Sequence, residues 1–332
     1  VCEFSKVNSF GKSFGVCHLV LDAFEIDFSL PRLENKNGFG HKDFLVTIAP
    51  DIDFKTASAR RDFTINSIGY DVNSSTFLDP YGGMSDLEAK VLREVDAKKF
   101  KEDPLRVLRC ARFCAKYELV PSNSLLCICK EMVQNGELEF LPKERIFAEL
   151  VALINSSKKP SVGLGLLREL GVWFVDAGFE RVDMLSFDEN RVLLALAYLF
   201  NGSLGRISDD KRLLKHADLL WQNLYSIGDM LSSTRVDFDL AMLATRVNIS
   251  LLLDFYRLHF GEDDAFLFVR HRSLSIGVLH GHIEPLVGGK ELIACGLLPS
   301  KEFSSILKKA YEAQLMGEFD ELEKAKKWVE AH

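Results

Sequence analysis

The sequence contains no apolar run approaching the roughly 20 residues that a membrane-crossing helix needs. It also lacks a basic start followed by an apolar core that would read as a secretory signal. No membrane partner is expected. Its seven cysteines lack a framework-like spacing: Cys110 and Cys114 share one predicted helix, and Cys127 and Cys129 flank Ile128. They read as small, reduced core or boundary residues, which suggests a cytoplasmic setting. Cys and His pairs at metal-ligand spacing are missing as well. His280-Gly281-His282 has no third ligand nearby in sequence and reads as a polar turn. There is no low-complexity segment, no short repeat and no paired His-Asp signature of an appended phosphohydrolase.

What is present is a chain of 332 residues, 47% of them hydrophobic, enough for two or more domains with real cores. The net charge of −7 argues against indiscriminate nucleic-acid binding. The basic character is local: residues 90–160 hold 14 lysines and arginines against 10 acids. Such a pattern allows a focused phosphate-binding patch on an otherwise acidic protein.

The chain opens on Val1 and reads as though it begins partway through a domain. Residues 14–20 and 24–30 predict two short strands joined by a turn near Asp22. In the second, Phe24, Ile26, Phe28 and Leu30 alternate with Glu25, Asp27 and Ser29, which places the two carboxylates on one face. Pro31-Arg32 ends that strand, and residues 35–41 read as a polar, glycine-bearing loop. Asp51-Ile52-Asp53 resembles a two-carboxylate metal motif. It runs straight into a predicted helix over 54–59, so an acidic helix start is the plainer account. A hairpin is predicted from Phe63–Val72 and Thr76–Asp79, then a tight turn over 79–83, with Ser85 and Glu88 as the capping box of the next helix. From Ala97 onward the apolar spacing is helical nearly to the end, with segments near 161–170, 190–201, 211–233, 238–246, 249–259 and 302–330. Glu149 falls four residues after Arg145 on the helix begun by Pro142. Trp173, Trp221 and Trp328 read as core or boundary packing, and Arg270-His271-Arg272 as either a solvated helix face or a phosphate contact.

The informative stretch runs from Glu102 to Arg112. Asp103 suits an N-cap and Pro104 the first helical position. Arg106, Arg109 and Arg112 follow at intervals of three, a slowly rotating stripe at about 100° per residue, while Val107, Leu108, Ala111 and Ala115 face the other way. Three arginines in series repel one another and crowd a helix end that prefers negative charge. Two readings stay open. Acids from elsewhere in the chain pair with them, or they form a site for a multiply charged anion, since guanidinium forks bind phosphate in bidentate fashion.

Several ordered motifs together resemble one family. They are Arg60-Arg61-Asp62-Phe63-Thr64-Ile65-Asn66, Asp79-Pro80-Tyr81-Gly82-Gly83 with Asp86-Leu87, Glu102-Asp103-Pro104-Leu105-Arg106 with Arg109 and Arg112-Phe113, and Glu144-Arg145. Their series resembles the class II tRNA nucleotidyltransferases, that is, the CCA-adding enzymes and their relatives the bacterial poly(A) polymerases. The tail segments Gly289-Lys290-Glu291-Leu292-Ile293 and Gly296-Leu297-Leu298-Pro299 fit the same family, with Ser300 where glycine is usual.

The resemblance implies an α+β chain: a partial nucleotidyltransferase head sheet, of the polymerase-beta-like kind, followed by an all-α neck, body and tail. Residues 1–95 would be the later portion of the head, 96–155 the neck that recognises the base, 156–235 the body and 236–332 a tRNA-binding tail. The implied reaction transfers CMP and AMP from CTP and ATP to the tRNA 3′ end, without a nucleic-acid template, releasing pyrophosphate. By the same resemblance Arg61 and Asp62 contact triphosphate and ribose, and Asp103 and Arg106 recognise the base. Arg109 and Arg112 make further nucleotide and phosphate contacts, with Arg60, Asn66, Glu102 and Arg145 in support. Asp27 matches the family's third active-site acid, catalytic and metal-binding. The family's remaining two metal-binding aspartates, which with Mg²⁺ would align the attacking hydroxyl, are not found in this sequence. The expectation is therefore that the chain as given is inactive on its own. Alternatives are a poly(A) polymerase, a CC-only or A-only adding enzyme, and a non-catalytic tRNA-binding protein.

The residue chemistry fits base selection. An ionised Asp103 only accepts hydrogen bonds and Arg106 only donates. Cytosine and adenine both offer an exocyclic amine beside a ring-nitrogen acceptor, whereas guanine and uracil turn a carbonyl oxygen toward the carboxylate. A good bidentate pair discriminates by about 1–3 kcal/mol.

Overall fold

The computed structural model describes residues 7–8, 16–21, 24–36, 44–49, 51–172 and 178–331. They divide into two compact units, the first ending at Asp183 and also taking in 206–208, the second made of 184–205 and 209–332.

The first unit begins with small sheets. Val7–Asn8, Val16–Leu21 and Phe24–Ser29 form an antiparallel three-stranded sheet in which Asp27 lies opposite His18. Arg32–Lys36 pairs antiparallel with Phe44–Ile48. Arg32 thus opens a strand rather than closing one, because Pro31, which has no N–H to offer a ladder, is the actual break. Of the predicted 35–41 loop, Asn35 and Lys36 belong to that strand. Residues 37–41 lie outside the described residues, as do Asp22, the first two positions of the predicted 14–20 strand, and Trp173.

Next come short elements with clear local causes. Phe54–Ser58 is helical and Asp53 caps it, its Oδ1 accepting from the Thr56 N–H at 2.7 Å. Thr64–Ser67 turns as a 3₁₀-helix, so the hairpin is shorter than its sequence pattern: Gly69–Asp71 against Thr76–Leu78. The Ser85/Glu88 capping box is not formed. The helix spans Gly83–Glu88, three residues earlier than a Ser85 cap would start it, because Asp79 already caps it by accepting from Gly83 and Met84 N–H at 2.7 and 2.9 Å.

The core of this unit is organised on the helix Leu105–Tyr117. Its Val107, Leu108, Cys110, Ala111 and Cys114 are essentially inaccessible. It packs against the helices Lys143–Ser156 and Pro160–Glu169, whose Leu150, Leu153, Ile154, Leu164 and Leu167 are equally buried. Gly163 makes the second contact possible: a Cβ there would sit 2.6 Å from the Ala111 carbonyl oxygen. The predicted helix start is one residue early. Pro104 occupies the capping position and Asp103 precedes it, its Oδ1 accepting from Leu105 N–H at 3.1 Å. Cys110 meets Cys114 and the buried Cys129. Hydrogen bonding among these thiols, with burial, holds the Cys110 thiol well above its ordinary value. Cys127, unlike these, is exposed.

The second unit is helical. The predicted 211–233 segment breaks into Lys211–Asn223 and Ser226–Asp229, and the 302–330 segment into Phe303–Leu315 and Leu322–Ala331, with Gly317 at φ +81° between them. Trp221 and Trp328 are half-buried. Arg272 of the Arg270-His271-Arg272 run is paired with Asp237. Among the described residues no helix is long and apolar enough to cross a membrane.

Candidate functional site

Two backbone hydrogen bonds set the position of Asp62. Thr64 N–H donates to the Arg93 carbonyl at 2.9 Å, and Val95 N–H to the Asp62 carbonyl at 3.2 Å. Phe63 pairs with Glu94 between them. The same stretch is tied from the side by Asp86, which accepts from the Thr64 hydroxyl at 2.8 Å and from Arg93 Nε at 3.1 Å. Asp62 is thereby pressed against the start of the Leu105–Tyr117 helix with only 6% of its surface exposed.

All of its acceptor capacity is directed. Oδ1 accepts from Phe63 N–H and from Asn66 Nδ2, both at 2.9 Å. Oδ2 accepts from Arg109 through both Nε and Nη2 at 2.6 Å. Burial alone pushes this carboxyl up. The Arg109 charge and the bonds from Asn66, Arg109 and Phe63 outweigh it and hold Asp62 below its ordinary value.

The arginine stripe is paired along its length. Arg106 donates Nη1 to the Lys99 carbonyl at 2.7 Å and Nη2 to the Arg60 carbonyl at 2.8 Å. Arg112 Nε donates to Glu149 Oε2 at 2.7 Å, and Arg109 Nη1 lies 3.7 Å from Glu149 Oε1. Glu149 therefore does not serve Arg145, as its i+4 spacing suggested. Arg145 Nη2 instead reaches Asp103 Oδ2 at 3.1 Å. A tertiary partner from another helix outcompetes a local one worth a few tenths of a kcal/mol. Of the two readings of the stripe, pairing with distant acids holds for Arg109 and Arg112, while Arg106 donates to two backbone carbonyls. This leaves two oxygens at Asp103 and the further N–H groups of Arg106 able to make additional bonds at the helix start.

Below the stripe runs a series of rings that sequence reasoning missed. Phe100, Phe63, Phe113 and Tyr117 follow one another with centroids 5.9, 5.2 and 5.6 Å apart. Arg106 lies over Phe100, Arg109 and Arg112 over Phe113, and Lys116 over Tyr117. The available signal was partial: Arg109 and Phe113 stand four residues apart on one helix, as do Phe113 and Tyr117, whereas Phe63 and Phe100 come from other elements.

The other expected residues are placed as follows. Arg60, Arg61 and Asn66 line a cavity of about 200 Å³ whose rim includes Ser29 and Leu30, two and three residues after Asp27. Arg61 is exposed where its neighbour Asp62 is buried. Glu102 is half-buried, its N–H donating to the Lys99 carbonyl that also receives Arg106. Asp27 is exposed on its strand. Among the described residues no group of three or more His, Cys, Asp or Glu side chains is placed so that it could hold a metal ion. The described residues do not by themselves fit a two-metal centre.

The head-domain model of the poly A polymerases matches residues 3–93. A "Multifunctional CCA protein" from Xylella fastidiosa strain M12 is 46% identical over 129 residues, which is 37% of this chain and 30% of that protein. Over these residues the chain is similar to the poly A polymerase head domain and to the CCA proteins. It spans about a third of the length of the curated relatives it matches. Two solved structures share its fold. A Bacillus stearothermophilus CCA-adding enzyme in complex with CTP has a TM-score of 0.70 at 21% identity, covering 99% of this chain and 84% of that one. A Thermotoga maritima CCA-adding enzyme complexed with tRNA has 0.64 at 19%, covering 98% and 80%.

Proposed function

We propose that the chain belongs to an enzyme that adds CMP and AMP, taken from CTP and ATP, to the 3′ end of tRNA in the cytoplasm, releasing pyrophosphate. The reading rests on one observation. At the start of the Leu105–Tyr117 helix an acceptor-only Asp103 and a donor-only Arg106 stand about one turn apart. Each is held by a partner other than the one it would offer a base: Arg145 for Asp103, the Lys99 and Arg60 carbonyls for Arg106. A fixed acceptor beside a fixed donor suits the amine and ring nitrogen of cytosine or adenine and leaves a guanine or uracil carbonyl against a carboxylate.

In this reading Arg61 and the cavity beside Asn66 take the triphosphate. Arg109 and Arg112 add to the field there, and the four-part division of the chain into head, neck, body and tail applies. Enzymes of this family generally require a divalent metal, Mg²⁺ in our reading, with Asp27 as the one acid of this chain assigned to it. The described residues do not by themselves complete such a centre.

The test is equilibrium binding of CTP, ATP, GTP and UTP to the chain, followed by product length on tRNA ending before its CCA. CTP and ATP binding at least about tenfold tighter than GTP and UTP supports the reading. Equal binding of all four overturns it. A long adenylate tract from ATP alone points to the poly(A) polymerase branch, whose head-domain model this chain matches.

A further inference from the structure

The paired state of the stripe sets a problem for any anion that is to use it. Asp62, Arg109, Glu149 and Arg112 form a line of alternating charge that sums to zero. The two carboxylates in it are not equivalent. Asp62 is fixed by Phe63 N–H and Asn66 as well as by Arg109, which grips a single oxygen with two nitrogens at 2.6 Å. Glu149 makes one short contact, to Arg112, and a loose one of 3.7 Å to Arg109. It reaches the stripe from another helix, Lys143–Ser156, on a longer stem. Its side chain is 12% exposed and that of Arg112 15%. A charge in such a place is screened far less than one on the open surface.

We propose that Glu149 is a resident counter-anion that a phosphate group of the incoming nucleotide displaces from Arg112 and from the outer nitrogen of Arg109, while Asp62 keeps its hold on Arg109. This rests on the nucleotide-binding reading above and deepens it by naming what controls the anion affinity of the site. Without a competitor, two guanidinium groups lying over one phenylalanine ring would repel each other and hold pyrophosphate too firmly for it to leave. With Glu149 present they are kept apart and aligned when empty, and the departing anion is replaced by a carboxylate that is always at hand. Glu149 acts through the two arginines and is a positioning residue.

Calorimetric titration with inorganic pyrophosphate tests it, using the wild-type chain, Glu149→Gln and Glu149→Asp. Glu131→Gln is the control, since its carboxylate meets Lys101 in the open. Loss of the Glu149 charge is expected to tighten pyrophosphate about tenfold. Glu149→Asp keeps the charge and stays near the wild type, and Glu131→Gln changes nothing. Weaker or unchanged binding by Glu149→Gln overturns the proposal, and so does equal tightening by Glu131→Gln. Should Glu149→Gln fail to fold, wild-type crystals soaked in pyrophosphate decide. Arg112 must leave Glu149 for the anion while Arg109 stays on Asp62, and an intact Glu149–Arg112 contact beside bound pyrophosphate contradicts the idea. A wild-type chain that binds pyrophosphate while failing to prefer CTP and ATP sinks the base-selection reading alone. A wild type that binds none sinks both.

Discussion

Asp62 and Arg109 stand 47 residues apart in sequence and meet through two guanidinium nitrogens on one carboxylate oxygen, at 2.6 Å. That contact joins the motif following the small sheets to the helix at the centre of the first unit. It changes how both residues are understood. Arg109 is first the neutralising partner of a buried acid, and only its remaining N–H groups are available to a ligand.

Removing that partner leaves an uncompensated charge in the interior. Arg109→Met is expected to destabilise the first unit by about 3 kcal/mol, near the low end for a broken buried pair because the arginine is 30% exposed. Pairing it with Asp62→Asn, which keeps Oδ1 for Phe63 and Asn66, should recover most of the loss. Urea unfolding of the single and double variants measures both.

The depressed Asp62 carboxyl fixes a sign for pH dependence. Its folded value lies below the ordinary 3.8, so the unfolded chain binds the proton first as pH falls. The stability it contributes is complete above about pH 4 and is lost as pH drops through the folded value. Urea midpoints from about pH 6 down to about pH 3 should therefore fall more steeply for the wild type than for Asp62→Asn. Parallel curves would contradict the assignment.

How much of this was legible beforehand follows the range of the interactions. The start of the Leu105–Tyr117 helix, its buried face and the cap at Asp53 rest on neighbours within one turn, and they were read to within a residue. The partners of the arginines were not, since Asp62 and Glu149 reach them from other elements and no periodicity records that. The i+4 rule pointed Glu149 at Arg145 and the tertiary fold sent it to Arg112. Likewise Ser85 and Glu88 matched a capping pattern, but Asp79 arrived first through the turn before them. The family motifs named candidate site residues. Which of those residues hold one another became visible only in three dimensions.

The close approach of two helices yields a prediction about packing. A Cβ on Gly163 would meet the Ala111 carbonyl oxygen at 2.6 Å and a Leu153 methyl at 2.8 Å, and a backbone oxygen in a helix cannot step aside. Gly163→Ala should cost about 1–3 kcal/mol by forcing the Pro160–Glu169 helix off its neighbour. Thermal unfolding of the variant measures it.

Base choice should depend on the carboxylate at the helix start. Asp103→Ala is expected to weaken CTP and ATP binding by about tenfold and to narrow their advantage over UTP and GTP, the scale of one bidentate pair. It also frees Arg145, so Arg145→Met serves as the comparison: it should loosen selectivity less, because Asp103 keeps its bond from Leu105 N–H. Competition binding with all four nucleotides separates the two variants.

The account as a whole turns on where the base lies, and a crystal structure of the chain with CTP measures that directly. The account predicts the cytosine amine within hydrogen-bonding distance of Asp103 and its ring nitrogen facing Arg106. A cytosine ring bound away from both side chains would contradict it.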